Sequence, residues 1–371
     1  MTRSRLRDIG ITIGTMPTGP YNAITDVPDV LVGHSTVIYD EPRIARTGVT
    51  MIVPRKGEIW EDYTTAGYYS FNGNGEMTGL HWVEESGMLE SAIGITNTDS
   101  VGVVRDALIK YAVDKGYAGT SYGGGFLPVV AETWDGRLSD IHAFHIKQEH
   151  AFEALTTATS GPVPQGNVGG GTGMICHEFK GGIGTASRVA DTKSGQFVVG
   201  ALVQANYGSR KLLRVDGVPA GKEIDTDRVP SATSDPPQAG SIIVIVGTNA
   251  PLLPDQCKRL ARRATVGLAR VGGVGHNGSG DIFLAFSTGN HISPKAEGLL
   301  TLQMVPQDHM NPLFEGVAEA VEEAILNALT NAQTMTGFLG HTAYALPLDE
   351  LKRVMAKYRP QADAAAKSTE I

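Results

Sequence analysis

The residues able to do chemistry sit in short, glycine-rich segments. Phe71–Met77 reads FNGNGEM, Gly94–Ser100 GITNTDS, Leu127–Gly136 LPVVAETWDG, Ala205–Gly208 ANYG and Val274–Asp281 VGHNGSGD. They carry Glu132, Trp134, Asn206, Ser279 and Asp281 next to apolar, β-branched runs. With Ser241 they offer two hydroxyls, two carboxylates, an amide and an aromatic wall at strand ends, where α/β proteins gather polar groups for a site. The set lacks a histidine base. A serine hydroxyl is weakly nucleophilic until a neighbour accepts its proton. A cut between Gly240 and Ser241 would create that neighbour, a free α-amine with a reference pKa of about 7.7–8.0. The amine could then serve its own Oγ, as in N-terminal threonine nucleophiles. Gly240 suits such a cut, because without a Cβ its carbonyl is open to Ser241 Oγ. From local sequence alone, Gly-Ser before a strand is equally ordinary turn chemistry.

Other signatures fall away. Gly119–Gly123 (GTSYG) matches G-x-S-x-G, but that motif needs a strand before the serine and a helix after it. Here a helical pattern precedes and the LPVVA run follows, so Ser121 is set aside. Asn167–Met174 (NVGGGTGM) does not fit G-x-G-x-x-G and reads as a cramped turn. His177-Glu178 has no second histidine at metal-binding spacing, and His142, His145 and His150 suit a solvated segment as well as a metal. No metal or organic cofactor is expected.

The elements that must position these residues are legible as short apolar runs. Thr50–Val53, Ala92–Thr96, Leu127–Ala131, Phe197–Val203, Ser241–Val246 and Ile282–Phe286 read as strands. Val101–Val113, Gln256–Arg270 and Glu315–Ala332 have helical spacing. Continuous apolar strands interleaved with helices predict sheets covered on their faces, a layered α/β or α+β protein. Residues 219–240, PAGKEIDTDRVPSATSDPPQAG, hold four prolines and no apolar run, and read as an exposed linker ahead of Ser241.

Composition bounds the rest. Of 371 residues, 41% are hydrophobic and 19% charged, with a net charge of −8, so disordered and fibrous classes are excluded. Two cysteines cannot make a disulfide framework. The mild acidity, without any long basic run, argues against nucleic acid. No secretory core or membrane-length apolar stretch is evident, so a cytoplasmic protein without membrane contact is expected. The 46 glycines exceed the average share and mark close backbone approaches.

QAGSIIVIVGTNAPLLPDQCKRLARRATVGLAR followed by GHNGSGDIFLAF resembles the small-subunit start of the L-aminopeptidase/D-esterase family, which includes the β-peptidyl aminopeptidases. FNGNGEMTGLHWVEESG, AIGITNTDSVG, LPVVAETWDG and NVGGGTGM resemble segments of its large subunit. The likeness runs from about residue 5 to 345. It implies a self-processing hydrolase of N-terminal-nucleophile (Ntn) type, with a four-layer α/β/β/α sandwich in the topology shared with ornithine acetyltransferase. It also implies a single domain processed into residues 1–240 and 241–371, assembled as a homotetramer of processed heterodimers. Position by position, Ser241 matches the nucleophile freed after Gly240, and Ser279 with Asp281 the pair that orients and polarises it. Asn206 matches the oxyanion-stabilising amide, and Glu132 the carboxylate that holds the substrate's free amine. Asp281 is shorter than the Glu often found there. Trp134 replaces a Tyr or other aromatic residue and is expected to shape the substrate pocket without contributing a hydroxyl.

The expected activity is removal of N-terminal residues from small peptides, amino-acid amides and esters. A β-peptide specialist is the closest alternative. An acyltransferase of similar fold is disfavoured by serine at 241, and a non-catalytic small-molecule binder with an uncleaved Gly240–Ser241 turn is the alternative from another class.

Overall fold

Alternation along the strands sorts apolar side chains into three separate cores, and those cores define the layers. The computed structural model describes residues 3–56, 59–117, 126–232 and 240–359. In chain order the strands are β1 (Leu31–Tyr39), β2 (Ala45–Val53), β3 (Tyr63–Gly73), β4 (Met88–Leu89), β5 (Ile93–Asn97), β6 (Val129–Thr133) and β7 (Ile175–Cys176). They continue with β8 (Phe179–Lys180), β9 (Gly182–Thr192), β10 (Gly195–Asn206), β11 (Ser241–Thr248), β12 (Gly280–Ile292), β13 (Met335–Thr336) and β14 (Thr342–Ala343). The helices are α1 (Leu80–Ser86), α2 (Val101–Asp114), α3 (Gln148–Thr156), α4 (Ala220–Glu223), α5 (Pro254–Val271), α6 (Asn311–Asn331) and α7 (Leu348–Tyr358).

One sheet has the order β1-β2-β5-β6 and the other β4-β3-β12-β11-β10-β9. Helices α2 and α3 cover the outer face of the first, and α5 and α6 that of the second. The result is the four-layer α/β/β/α sandwich that the resemblance implies. β11 shows how the sequence builds it. Its Ile242, Val244 and Val246 face the α5/α6 core, while Ile243 and Ile245 join Ile52, Ile95 and Ala131 between the sheets. A strand buried on both faces has to be a continuous apolar run, and SIIVIV is one.

The helices match their expected limits to within a few residues, most starting earlier or ending later and α6 stopping one residue short of Ala332. α5 begins at Pro254, which fits a first turn because its missing N–H has no partner there anyway. It stops where Gly272 adopts φ 107°, the left-handed conformation that closes helices. α6 packs across β9 so closely that a Cβ at Gly184 would stand 1.9 Å from the Ala324 carbonyl. Its buried Glu319 and Glu323 meet Arg188 of β9 at 2.7 and 2.6 Å.

One expectation needs adjustment. The stretch 219–240 is not exposed throughout, because Ala220–Glu223 forms α4, and Ala220 and Ile224 join the α5/α6 core. Isolated apolar residues spaced along a polar run carry that packing and escape a search for continuous apolar segments. Ser121, most of YGGGF and residues 233–239 lie outside the described residues. Among the described residues no helix is long and apolar enough to cross a membrane.

Candidate active site

Ser241 opens β11, and the strand ladders choose its neighbours. It lies directly opposite Asn206, the last residue of β10. Residues opposed in an antiparallel pair project to the same face, so the hydroxyl and the amide share one side of the sheet. On the other flank β12 runs parallel, with Asp281 beside Ile242. The register of β12 against β3 slips between Asp281 and Ile282. Such bulges re-aim side chains beside functional sites. The Gly280 amide donates to Ser241 Oγ at 3.0 Å, and Ser279 Oγ donates to Asp281 Oδ2 at 2.8 Å. All four of Ser241, Ser279, Asp281 and Asn206 are buried.

Close backbone approach explains the glycines. A Cβ at Gly240 would stand 2.6 Å from the Asn206 carbonyl oxygen, and one at Gly280 would stand 2.6 Å from that of Asn74. The FNGNGEM segment is clamped onto GHNGSGD by its asparagines. Asn74 N–H donates to the Ser279 carbonyl at 3.1 Å, Asn74 Nδ2 to that of Gly278 at 2.9 Å, and Asn72 Nδ2 to those of Asn277 and Ser279. Gly75 then touches both Gly280 and Glu132, since a Cβ there would meet Gly280 Cα at 3.0 Å and Glu132 Oε1 at 3.3 Å.

Glu132, one residue before the end of β6, is 4% exposed. Its Oε1 accepts the Glu76 amide at 2.9 Å and its Oε2 the Thr98 hydroxyl, both neutral donors. Burial raises its pKa against those two hydrogen bonds, and the nearby Glu76 and Asp99 carboxylates push it further up. A buried carboxylate held by neutral donors can accept hydrogen bonds from a cation brought to it. Burial likewise pushes Asp281 up to about 6, opposed by the Ser279 hydroxyl and the Ile242 amide.

Asn206 is held at both ends. Its Oδ1 accepts the Ile175 amide at 2.8 Å, and its Nδ2 donates to the Trp134 carbonyl at 2.9 Å. To stabilise an oxyanion, Nδ2 would have to exchange that carbonyl for the oxyanion oxygen. The NVGGGTGM turn leads into β7 and so places the Ile175 amide. Lys180 closes it from β8, its fully buried Nζ donating to the Met174 and Gly181 carbonyls at 2.8 Å and to Gly171 at 3.3 Å. Trp134 is half exposed, with its indole over Gly136, and its main-chain carbonyl makes the bond to Asn206.

The three neighbouring histidines diverge. His142 meets Asp99 at 2.8 Å, His145 meets the Tyr39 hydroxyl at 2.7 Å, and His150 accepts the Lys147 amide at 3.0 Å. Among the described residues no cluster of three or more His, Cys, Asp or Glu could hold a metal.

Sequence reasoning missed several residues of this region. Thr98, Asp135 and Tyr207 lie inside the quoted segments GITNTDS, LPVVAETWDG and ANYG, and Asp135 and Tyr207 directly follow the singled-out Trp134 and Asn206. Asp135 is fully buried, accepts Asn97 Nδ2 at 3.0 and 3.2 Å, and is pushed by burial up to about 7. Lys180 had no signal, for a fully buried lysine cannot be told from a surface one by type alone.

The sequence pattern of peptidase family S58 matches residues 22–343. The beta-peptidyl aminopeptidase BapA of Sphingosinicella microcystinivorans is 46% identical over 377 aligned positions, covering 97% of this chain and 94% of that protein. The structure of a Burkholderia sp. beta-aminopeptidase superposes with a TM-score of 0.89 at 48% identity, covering 95% of this chain and 99% of that one. The L-aminopeptidase D-Ala-esterase/amidase of Ochrobactrum anthropi gives 0.90 at 43% identity, covering 95% and 98%. That protein is described as a prototype for the serine aminopeptidases and a new variant of the Ntn hydrolase fold.

Proposed function

The chain belongs to peptidase family S58 and is a hydrolase of the serine aminopeptidase type; we propose that it makes its own nucleophile by cutting between Gly240 and Ser241. The observation that carries this reading is the placement of Ser241 at the first position of a buried strand, opposite Asn206, with the Gly280 amide on its Oγ. In the uncut chain Oγ attacks the Gly240 carbonyl. The peptide C–N bond breaks, an ester forms at Oγ, and its hydrolysis frees residues 1–240 from a small subunit that begins at Ser241.

In turnover the new α-amine takes the Oγ proton as the C–Oγ bond forms, and passes it to the departing amine or alkoxide. Asn206 Nδ2 meets the developing oxyanion, and Ser279 with Asp281 fixes the local charge. Glu132 binds the substrate's ammonium group. The substrates are therefore small peptides, amino-acid amides and esters with a free amine. The names of the beta-peptidyl relatives support testing β-amino acyl groups beside α-amino ones. The comparisons do not favour a non-catalytic binder. Exposed Leu299, Leu300 and Met304 support assembly into a homo-oligomer, here read as a tetramer of processed heterodimers. The two buried free cysteines support a cytoplasmic setting.

Substrate pairs test the reading. The enzyme is expected to release p-nitroaniline from an amino-acid p-nitroanilide and to leave the N-acetylated analogue intact. Glu132→Gln should lower kcat/KM on the free-amine substrate roughly 10- to 100-fold, the worth of a hydrogen bond to a charged group. Equal cleavage of the acetylated substrate would remove Glu132 from this role.

A further inference from the structure

Beside Gly240 lies a narrow cleft with room for about one water molecule, walled by Tyr207, Ser279 and Asp281 and by the loop from Gly272 to His276. Two buried polar atoms on its walls are unpartnered, Tyr207 Oη and Asp281 Oδ1. Neither is explained by the fold, since buried polar atoms are nearly always hydrogen-bonded. Tyr207 is 5% exposed, and its ring is fixed edge-on to His177 with centroids 4.9 Å apart. Gly273 leaves room for it, as a Cβ there would stand 3.0 Å from Tyr207 Cε2. Burial raises the tyrosine's pKa well above its usual value, and the nearby Cys176 and Asp281 add to the rise.

The geometry points to Tyr207 as a positioning residue for the α-amine of Ser241, which its hydroxyl oxygen and Asp281 Oδ1 would grip by two N–H bonds. This inference rests on the proposed cut after Gly240, a residue that lines this cleft, which turns the nitrogen of the next residue into a primary amine. Such an amine brings donors that the peptide nitrogen lacks, and the two unpartnered oxygens are acceptors. With two N–H groups tied down, the lone pair is left to face its own Oγ. The Oγ proton then moves to the amine as the C–Oγ bond forms, and onward to the leaving group. Besides Tyr207, the ionisable groups lining the cleft are Asp281 on β12 and His276 in the preceding loop. Behind Tyr207 lie the Cys176 thiol, pushed by burial up to about 12, and His177, pushed down to about 4 and so neutral at working pH.

The test separates self-cleavage from turnover, because the amine does not exist until the chain is cut. Tyr207→Phe is expected to cleave itself at the parent rate and to melt no lower than the parent. On an amino-acid p-nitroanilide its kcat should fall about tenfold with KM unchanged. The acidic limb of its kcat/KM profile should move to lower pH, because an acceptor that favours the ammonium form has gone. Turnover and pH profile equal to the parent's would overturn the inference. So would self-cleavage slowed in step with turnover, which marks a structural role, or loss of folding, which contradicts an unpartnered hydroxyl. A parent protein that stays one chain would sink the reading underneath as well, and the denaturing gel shows that case separately.

Discussion

Asn206 has one structural bond and one proposed catalytic role on the same side chain, and they can be told apart. Its Oδ1 satisfies the Ile175 amide, and its Nδ2 is the donor next to Ser241. Asn206→Ala leaves the amide unpaired, a cost of about 1–3 kcal/mol that the fold should survive. Loss of one preorganised oxyanion donor costs ~10²–10³ in rate. Steady-state kcat on an amino-acid p-nitroanilide should drop on that scale, and near-parent turnover by a folded variant would clear Asn206 of the role. Asp135, one residue beyond Trp134, gives a pH signature. Its pKa is raised from 3.8 to about 7, so the folded state binds the proton more tightly than the unfolded one. The stability this contributes is present in full below about pH 4 and is lost as pH rises through about 7. Asp135→Asn removes that dependence, so the variant should gain on its parent by ~2.5 kcal/mol between pH 5 and pH 8. Urea unfolding at both pH values measures the gap, and a constant gap would contradict a protonated Asp135.

At the scale of elements, the site is a meeting of strand ends locked by two glycine-rich segments. Gly280→Ala would press a Cβ onto the Asn74 carbonyl and Gly75 Cα, and Gly75 is the contact that relays the position of β12 to Glu132. The substitution should slow both self-cleavage and turnover at least tenfold with a modest loss of thermal stability. Parent-like rates would show that this packing is slack. The same elements show what a sequence reveals. SIIVIV, IFLAF and the amphipathic α5 were readable because burial on a whole face leaves an unbroken apolar pattern. β3 (YTTAGYYSFNG) and β9 (GIGTASRVADT) were not, since glycine, threonine and serine interrupt their runs where helices cross closely. Ser241, Ser279, Asp281, Asn206 and Glu132 could be singled out because each borders a readable strand. The spatial links among them, through Gly75, Gly280 and the Ile175 amide, depend on ladders between distant segments and left no local trace.

Across the whole molecule, the two prospective subunits are interleaved. β11 and β12, from residues 241–371, lie between β10 and β3 of residues 1–240 in one sheet. The buried Arg188 of the larger portion is held by Glu319 and Glu323 of the smaller, and Arg7 reaches Glu323 at 2.7 Å. A cut at Gly240–Ser241 therefore opens one bond and leaves two strand ladders and a buried ion network across the division. Removing one partner of such a network costs about 3–5 kcal/mol, so the pieces should separate only on unfolding. The measurement that bears most directly on the central claim is intact mass, native and denaturing, combined with N-terminal sequencing of the purified protein. The expected result is one native assembly that resolves under denaturation into residues 1–240 and 241–371, the second beginning Ser-Ile-Ile-Val, with Ser241→Ala remaining a single chain. An active protein in which every chain is intact across Gly240–Ser241 would contradict the account.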